Sequence, residues 1–172
     1  MIPLFDLKKS KKFPYITVIL ITINVVLFFL FKGDFEGVFF EGIFLHINIW
    51  HLLFNMWFLW IFGDNVEGRI GHLKFFFFYF LCGIIPLLFL REMTSVPAVG
   101  ASSAIAGVMG AYLFLFPKNK LKVFPNFVFP SFLYIILWAL IQVLFFSLDG
   151  GMSSFGHIAG FVTGFILILF FK

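Results

Sequence analysis

Gly100-Ala101-Ser102-Ser103-Ala104-Ile105-Ala106-Gly107-Val108-Met109-Gly110 opens a stretch that runs on to Phe116 without a charged residue. A segment so apolar and so rich in small side chains reads as a membrane helix, and it carries a serine at its head. The rest of the chain agrees. Of 172 residues, 62% are hydrophobic and 12% charged, against roughly 25% charged in soluble domains. Mean hydropathy is +1.10. One soluble core of this size could not hide 31 phenylalanines,. Six stretches are long enough, or nearly so, to cross ~30 Å of hydrocarbon. They are Pro14–Phe31, Ile49–Phe62, Leu73–Leu90, Ser102–Phe116, Ser131–Phe146 and Ser154–Phe171. The expectation is an all-α integral membrane protein, multi-pass, with residues 1–172 forming a single membrane domain of six transmembrane helices.

A net charge of +4 invites a nucleic-acid reading, but the placement of the charges excludes it. Lys8, Lys9, Lys11 and Lys12 precede the first span, Arg69 and Lys74 flank the second turnaround, and Lys118, Lys120 and Lys122 flank the fourth. Lys172 closes the chain, and only Lys32 and Arg91 fall in the other loops. With six spans this asymmetry places both the N- and C-termini in the cytoplasm. The partner implied is the lipid bilayer, not nucleic acid. Cys82 stands alone inside the third span, so neither a disulfide framework nor metal-ligand spacing exists, and it reads as a small packing residue,. The first span is too long for the apolar region of a signal peptide and is expected to stay. Lys32–Asn48, apolar and broken by glycines, resembles an interfacial segment. Pro117–Pro130 reads as a basic turn, and Ser147–Ser153 as a glycine-rich loop.

Topology gives the polar residues their meaning. Spans two, four and six all run from outside to inside. His51 and Asn55 lie near the start of span two, Ser102 heads span four, and His157 stands a few residues into span six. At 1.5 Å per residue, all four sit within about two turns of the outer helix ends. Ser102, Ala106 and Gly110 recur every four residues, so the serine's face is nearly smooth, and Gly156, Gly160 and Gly164 form two overlapping GxxxG steps. Small residues at this spacing let helix backbones approach closely in lipid. Spans four and six are therefore the expected pair, with Ser102 brought to His157.

A serine hydroxyl becomes a nucleophile when a neutral histidine takes its proton. The tetrahedral intermediate then needs donors for its oxyanion. The Ser102 amide at a helix N-terminus, Asn55 and His51 are the candidates. Taken singly, Asn55 suits a helix-to-helix hydrogen bond and His51 an interfacial site, whereas ionisable groups such as His157 within spans are usually functional. No acidic residue lies at this depth, so the reading is a Ser–His dyad. Histidines and the cysteine lack metal spacing, and no HExxH occurs, so no metal and no cofactor is expected.

Several segments together resemble the rhomboid family of intramembrane serine proteases. Phe44-Leu45-His46 followed by His51-Leu52-Leu53-Phe54-Asn55-Met56 is similar to the family's second-span motif, and Phe62-Gly63-Asp64-Asn65-Val66-Glu67 to the segment after it. Gly100-Ala101-Ser102-Ser103-Ala104 resembles its GxSG nucleophile motif, and Gly156-His157-Ile158-Ala159-Gly160-Phe161-Val162-Thr163-Gly164 its histidine span. Trp138 and Gln142 also look like a bacterial family pattern. The resemblance implies a six-helix rhomboid core whose active site opens to the extracytoplasmic side of a prokaryotic plasma (inner) membrane. It implies Ser102 as nucleophile, His157 as base, and oxyanion stabilisation by His51, Asn55 and the Ser102 amide. Gly100, Glu67, Gly160 and Gly164 take structural places in its motifs. The implied substrates are single-span transmembrane proteins, with span five and the Ser147–Ser153 loop as lateral gate and cap. Two departures stand out. Ser103 replaces the usual glycine, so either serine can be argued, with register from Gly100 favouring Ser102. Ala106 stands where some members stack an aromatic on the histidine, which leaves His157 to be positioned by other residues, the phenylalanines among the candidates. The alternative is a catalytically inactive rhomboid-like protein that binds membrane clients. A transporter would want charged residues at mid-membrane, which are not evident.

Overall fold

The computed structural model describes residues 3–31, 44, 46–93, 101–149 and 151–172. Its described elements run β1 (Pro3–Asp6), α1 (Tyr15–Phe31), α2 (Ile49–Ile70), α3 (His72–Met93), α4 (Ser102–Leu115), β2 (Lys120–Val123), β3 (Phe127–Pro130), α5 (Ser131–Asp149) and α6 (Met152–Phe171). The six helices fall on the six apolar stretches. Three are long and apolar enough to cross a membrane, namely α3 over His72–Phe89, α5 over Ser131–Leu148 and α6 over Ser153–Phe171. α1 and α4 are shorter apolar helices.

Helix ends follow local chemistry. Asn48 caps α2, its side chain accepting from the His51 N–H at 2.9 Å, which satisfies one amide that the helix cannot. α2 does not stop with its apolar run at Phe62. It continues through Gly63-Asp64-Asn65-Val66-Glu67 to Ile70 and ends at Gly71, whose φ of 91° few other residues would adopt,. The continuation is possible because its polar side chains are used inside the protein. Glu67, fully buried, accepts from the amides of Ile16 and Thr17 at 2.9 and 2.8 Å, from Thr17 Oγ1 at 2.7 Å and from His72 Nδ1 at 2.6 Å. One carboxylate thus caps the start of α1 and ties it to the end of α2 and the start of α3.

α4 and α6 form the most extensive helix pair, and the glycine rows explain why. A Cβ on Gly160 would strike the carbonyl oxygen of Ser103, one on Gly164 that of Gly107, and one on Gly110 that of Phe161. Backbones meet where side chains are missing. The contact row on α4 is Ser103–Gly107–Gly110, rotated from the Ser102–Ala106–Gly110 row expected to pack; Ser102 and Ala106 are left facing elsewhere. On the other side of α4, a Cβ on Gly107 would lie 2.5 Å from that of buried Cys82 on α3.

A small sheet is added to the six-helix fold. The Pro117–Pro130 segment, expected as a plain turn, folds into the β2–β3 hairpin, and β1 pairs antiparallel with β2 in the order β1-β2-β3. Asp6, buried, holds this sheet to the bundle by accepting from Asn65 Nδ2 at 2.7 Å, Asn119 Nδ2 at 3.2 Å and the Tyr112 hydroxyl. The start of the chain therefore shares one end of the bundle with the α4–α5 connection. The end of α6 joins them, since Lys74 Nζ donates to the Phe171 carbonyl at 3.1 Å. Most of the expected Ser147–Ser153 loop is helix, because α5 runs to Asp149 and α6 starts at Met152. Residues 32–43 of the expected interfacial segment lie outside the described residues.

Candidate active site

α2, α4, α5 and α6 line a partly open cavity of about 240 Å³ at the end opposite the sheet. His51, Asn55, Ser102 and His157 all line it, together with Ala106, Trp138 and the apolar Phe54, Phe58, Ile105 and Met109. The four polar residues picked out at matching depth thus meet in one space. Ser103 is not among the lining residues, and its backbone is pressed against Gly160. Gly100 falls outside the described residues.

Each polar group is presented in a usable state. His157 Nδ1 lies 2.8 Å from Gln142 Oε1. An amide oxygen can only accept, so the proton sits on Nδ1, and Nε2 carries the free lone pair. The plane of the ring is also braced, with the Trp138 indole 6.1 Å away at 41° and touching Phe161 in turn. Trp138 and Gln142 are four residues apart and so share one face of α5. They supply what Ala106 does not. The support comes from a tryptophan and a glutamine, where phenylalanines were the expected source. An amide set one turn from a tryptophan in an otherwise apolar helix was the available signal.

Two of the lining residues also carry buried, unpaired polar atoms. Asn55 Nδ2 and His51 Nδ1 are buried with no hydrogen-bond partner, which is costly unless a ligand or transition state uses them. α4 opens at Ala101 without a side-chain cap, leaving the first-turn amides, Ser102's included, at the positive end of the helix dipole. His51 is steadied by a neighbour, since His46 packs its ring 5.3 Å away and anchors its own Nδ1 on the Phe44 carbonyl at 3.0 Å. His72, the first residue of α3, bonds Glu67 outside this cavity. Among the described residues, no group of three or more His, Cys, Asp or Glu could hold a metal ion. The arrangement offers a hydroxyl, a neutral imidazole with a free nitrogen, and several donors around one apolar-walled cavity. That is the equipment of acyl transfer.

Comparison with known proteins gives a consistent picture. The family model described as Rhomboid domain matches residues 36–172. Rhomboid protease GluP of Bacillus subtilis (strain 168) is 34% identical over 121 residues, covering 70% of this chain and 23% of that protein. Rhomboid protein 1, mitochondrial, of Saccharomyces cerevisiae is 35% identical over 106 residues, covering 55% and 31%. A rhomboid protein of Acanthamoeba polyphaga mimivirus is 30% identical over 168 residues, 91% of each chain. Against the first four relatives, the chain spans only 23%, 31%, 31% and 39% of their length.

Proposed function

The chain belongs to the rhomboid family, and from that premise we propose that it is an intramembrane serine endopeptidase. It cuts single-span membrane proteins in or near their transmembrane helix. Ser102 Oγ attacks the scissile carbonyl while His157 Nε2 takes its proton. The imidazolium then protonates the leaving amine, and a water activated by the same nitrogen releases the acyl enzyme. Asn55, His51 and the Ser102 amide hold the oxyanion. Gln142 is a positioning residue, keeping the His157 proton on the nitrogen that faces away from the serine.

The observation that carries this reading is the common cavity. Four polar residues from three helices line it, one of them a histidine whose other nitrogen is already occupied. The same frame supports a membrane orientation. β1 and the α4–α5 hairpin share a sheet, so the lysines around both lie on one side, and by the positive-inside rule that side is cytoplasmic. The six helices then all cross, residues 1–172 act as one membrane domain, and the active site opens to the extracytoplasmic side of a prokaryotic plasma membrane. α4, with 14 residues, rises roughly 21 Å against ~30 Å of hydrocarbon. Ser102 therefore sits below the outer surface, where a helix unwinding from the bilayer can present a peptide bond.

The test is labelling with a serine-directed fluorophosphonate in bilayers. Ser102→Ala abolishes labelling and Ser103→Ala does not. His157→Ala leaves the protein folded but ends cleavage of a single-span reporter. Equal labelling of the two serine variants, or cleavage by His157→Ala, would return the chain to a client-binding role.

A further inference from the structure

We propose that the three-stranded sheet is a membrane anchor that sits in the leaflet at the termini's end and binds acidic phospholipid headgroups. This rests on the bundle spanning a bilayer and not on its proteolytic activity.

The depth of the sheet can be read from α2. Pro3 O accepts from Trp57 Nε1 at 2.6 Å, Asp6 from Asn65 at 2.7 Å, and Gly68 packs beneath Ser10. From Trp57 to Asn65 is roughly 12 Å along a helix, and from Pro3 to Asp6 is roughly 10 Å along a strand. The two rulers agree, so β1 runs alongside α2 and does not lie flat across its end. The apolar run of α2 ends at Phe62, so Pro3 is about five residues, or ~8 Å, inside that boundary. Register carries the level across the sheet: Pro3 pairs with Val123, and Val123 with Phe127. The hairpin tip therefore points toward the acyl chains.

Side chains are graded along this direction. Leu121 and Val123 are buried against the bundle. At the tip, Phe124 and Phe127 are 62% and 60% exposed, and at that depth lipid is what covers them. Asn126 at the turn limits the insertion to the interfacial zone. At the other end of the sheet, Lys8, Lys11, Lys12, Lys118 and Lys120 are all exposed. The described carboxylates at this end, Asp6, Asp64 and Glu67, are buried. Lys122 lies between the two zones with its ammonium 5.7 Å over the Phe5 ring. An aromatic tip and a basic collar without exposed acids complement an anionic lipid surface, where each lysine contributes about 1 kcal/mol, a factor of about five in binding.

The experiment uses the full chain in lipid nanodiscs. A spin label on Phe127→Cys is compared with one on Lys11→Cys, Cys82 being buried and unreactive. The label at 127 is expected to collide more with oxygen than with a water-soluble nickel chelate, and the label at 11 the reverse. In phosphatidylglycerol nanodiscs the β2–β3 amides exchange at least about fivefold more slowly than in phosphatidylcholine. The difference disappears at 1 M salt, on the order of a 3 Å Debye length, and in the combined Lys8→Gln, Lys11→Gln, Lys12→Gln, Lys118→Gln, Lys120→Gln variant. A nickel-accessible label at 127 overturns the insertion. Exchange independent of lipid charge overturns the headgroup binding. Fluorophosphonate labelling of Ser102 is scored separately, so a failure of the protease reading does not affect either outcome.

Discussion

Replacing Gln142 with leucine isolates the part of the site that holds the base in register. The substitution keeps the volume roughly constant and deletes the acceptor 2.8 Å from His157 Nδ1. Two outcomes are open to the imidazole. It can keep its Nδ1 proton without a partner, at a cost of about 1–3 kcal/mol for a buried unsatisfied donor. Otherwise the proton moves to Nε2, the nitrogen proposed to accept from Ser102. Both routes remove base strength from the productive state, and at tenfold per 1.36 kcal/mol the turnover falls by about 5- to 150-fold. This is less than the ~10⁴ seen when a charged triad partner is neutralised, as fits an amide that contributes orientation but no charge. Substrate contacts are untouched, so KM stays within a factor of two while kcat carries the loss. The assay is cleavage of a single-span reporter in proteoliposomes, paired with nitrogen-15 spectra of the His157 ring. Gln142→Glu, which keeps an acceptor at the same reach, restores most of the rate. A leucine variant with wild-type kcat and an unchanged ring spectrum would refute the positioning role.

Other perturbations test other parts of the structure. Gly164→Ala drives a Cβ into the Gly107 carbonyl, so thermal unfolding should show a loss of ~1–3 kcal/mol from overpacking; an unchanged melting point would mean α4 and α6 are less tightly apposed. Glu67→Ala strands the Ile16 and Thr17 amides and is expected to lower stability by ~3 kcal/mol, with Glu67→Gln milder; equal stability of the three proteins counts against the capping role. Asn55→Ala should reduce kcat by ~10²–10³ if its amide meets the oxyanion, and an unchanged rate assigns it to packing. Burial, followed by repulsion from His51, lowers the His46 pKa from 6.5 to about 4. The folded state therefore disfavours the protonated form. The stabilisation is complete above pH 6.5 and is lost as pH falls toward 4, to an extent on the order of 3 kcal/mol. Melting curves across that range should slope accordingly and flatten in His46→Gln.

Hydropathy locates five of the six helices to within a few residues because burial in lipid imposes one composition on every face. It cannot see α2 past Phe62, where Asp64, Asn65 and Glu67 are buried and the last two hydrogen-bond inside the protein. That His51, Asn55, Ser102 and His157 lie at one end of the bundle is legible because each stands near the start of its helix and alternate helices run the same way. Their convergence depends on the glycine rows, and there periodicity fixes the partners but not the rotation. Ser103, not Ser102, proves to be in the packed row. The sheet is illegible for another reason. Each strand has four residues, too short for alternation to register, and Asp6 among lysines looks like surface charge until Asn65 and Tyr112 close around it. Gln142 is visible as an oddity in an apolar helix, but only its distance to His157 gives it a purpose.

Trp138 and Gln142 both belong to α5, the least enclosed of the long apolar helices. Only 17% of its apolar span is buried inside the bundle, against 33% for α3 and 28% for α6. If α5 swings aside to admit a substrate helix, it takes the brace and the hydrogen bond away from His157. On the proposed protease reading, the site would be disarmed while its side is open and rearmed only when α5 returns. Such an interlock would spare proteins that merely brush the entrance, and would make residence time, more than sequence, the first criterion of selection. A variant that loosens α5 should then admit a reporter readily and cut it slowly.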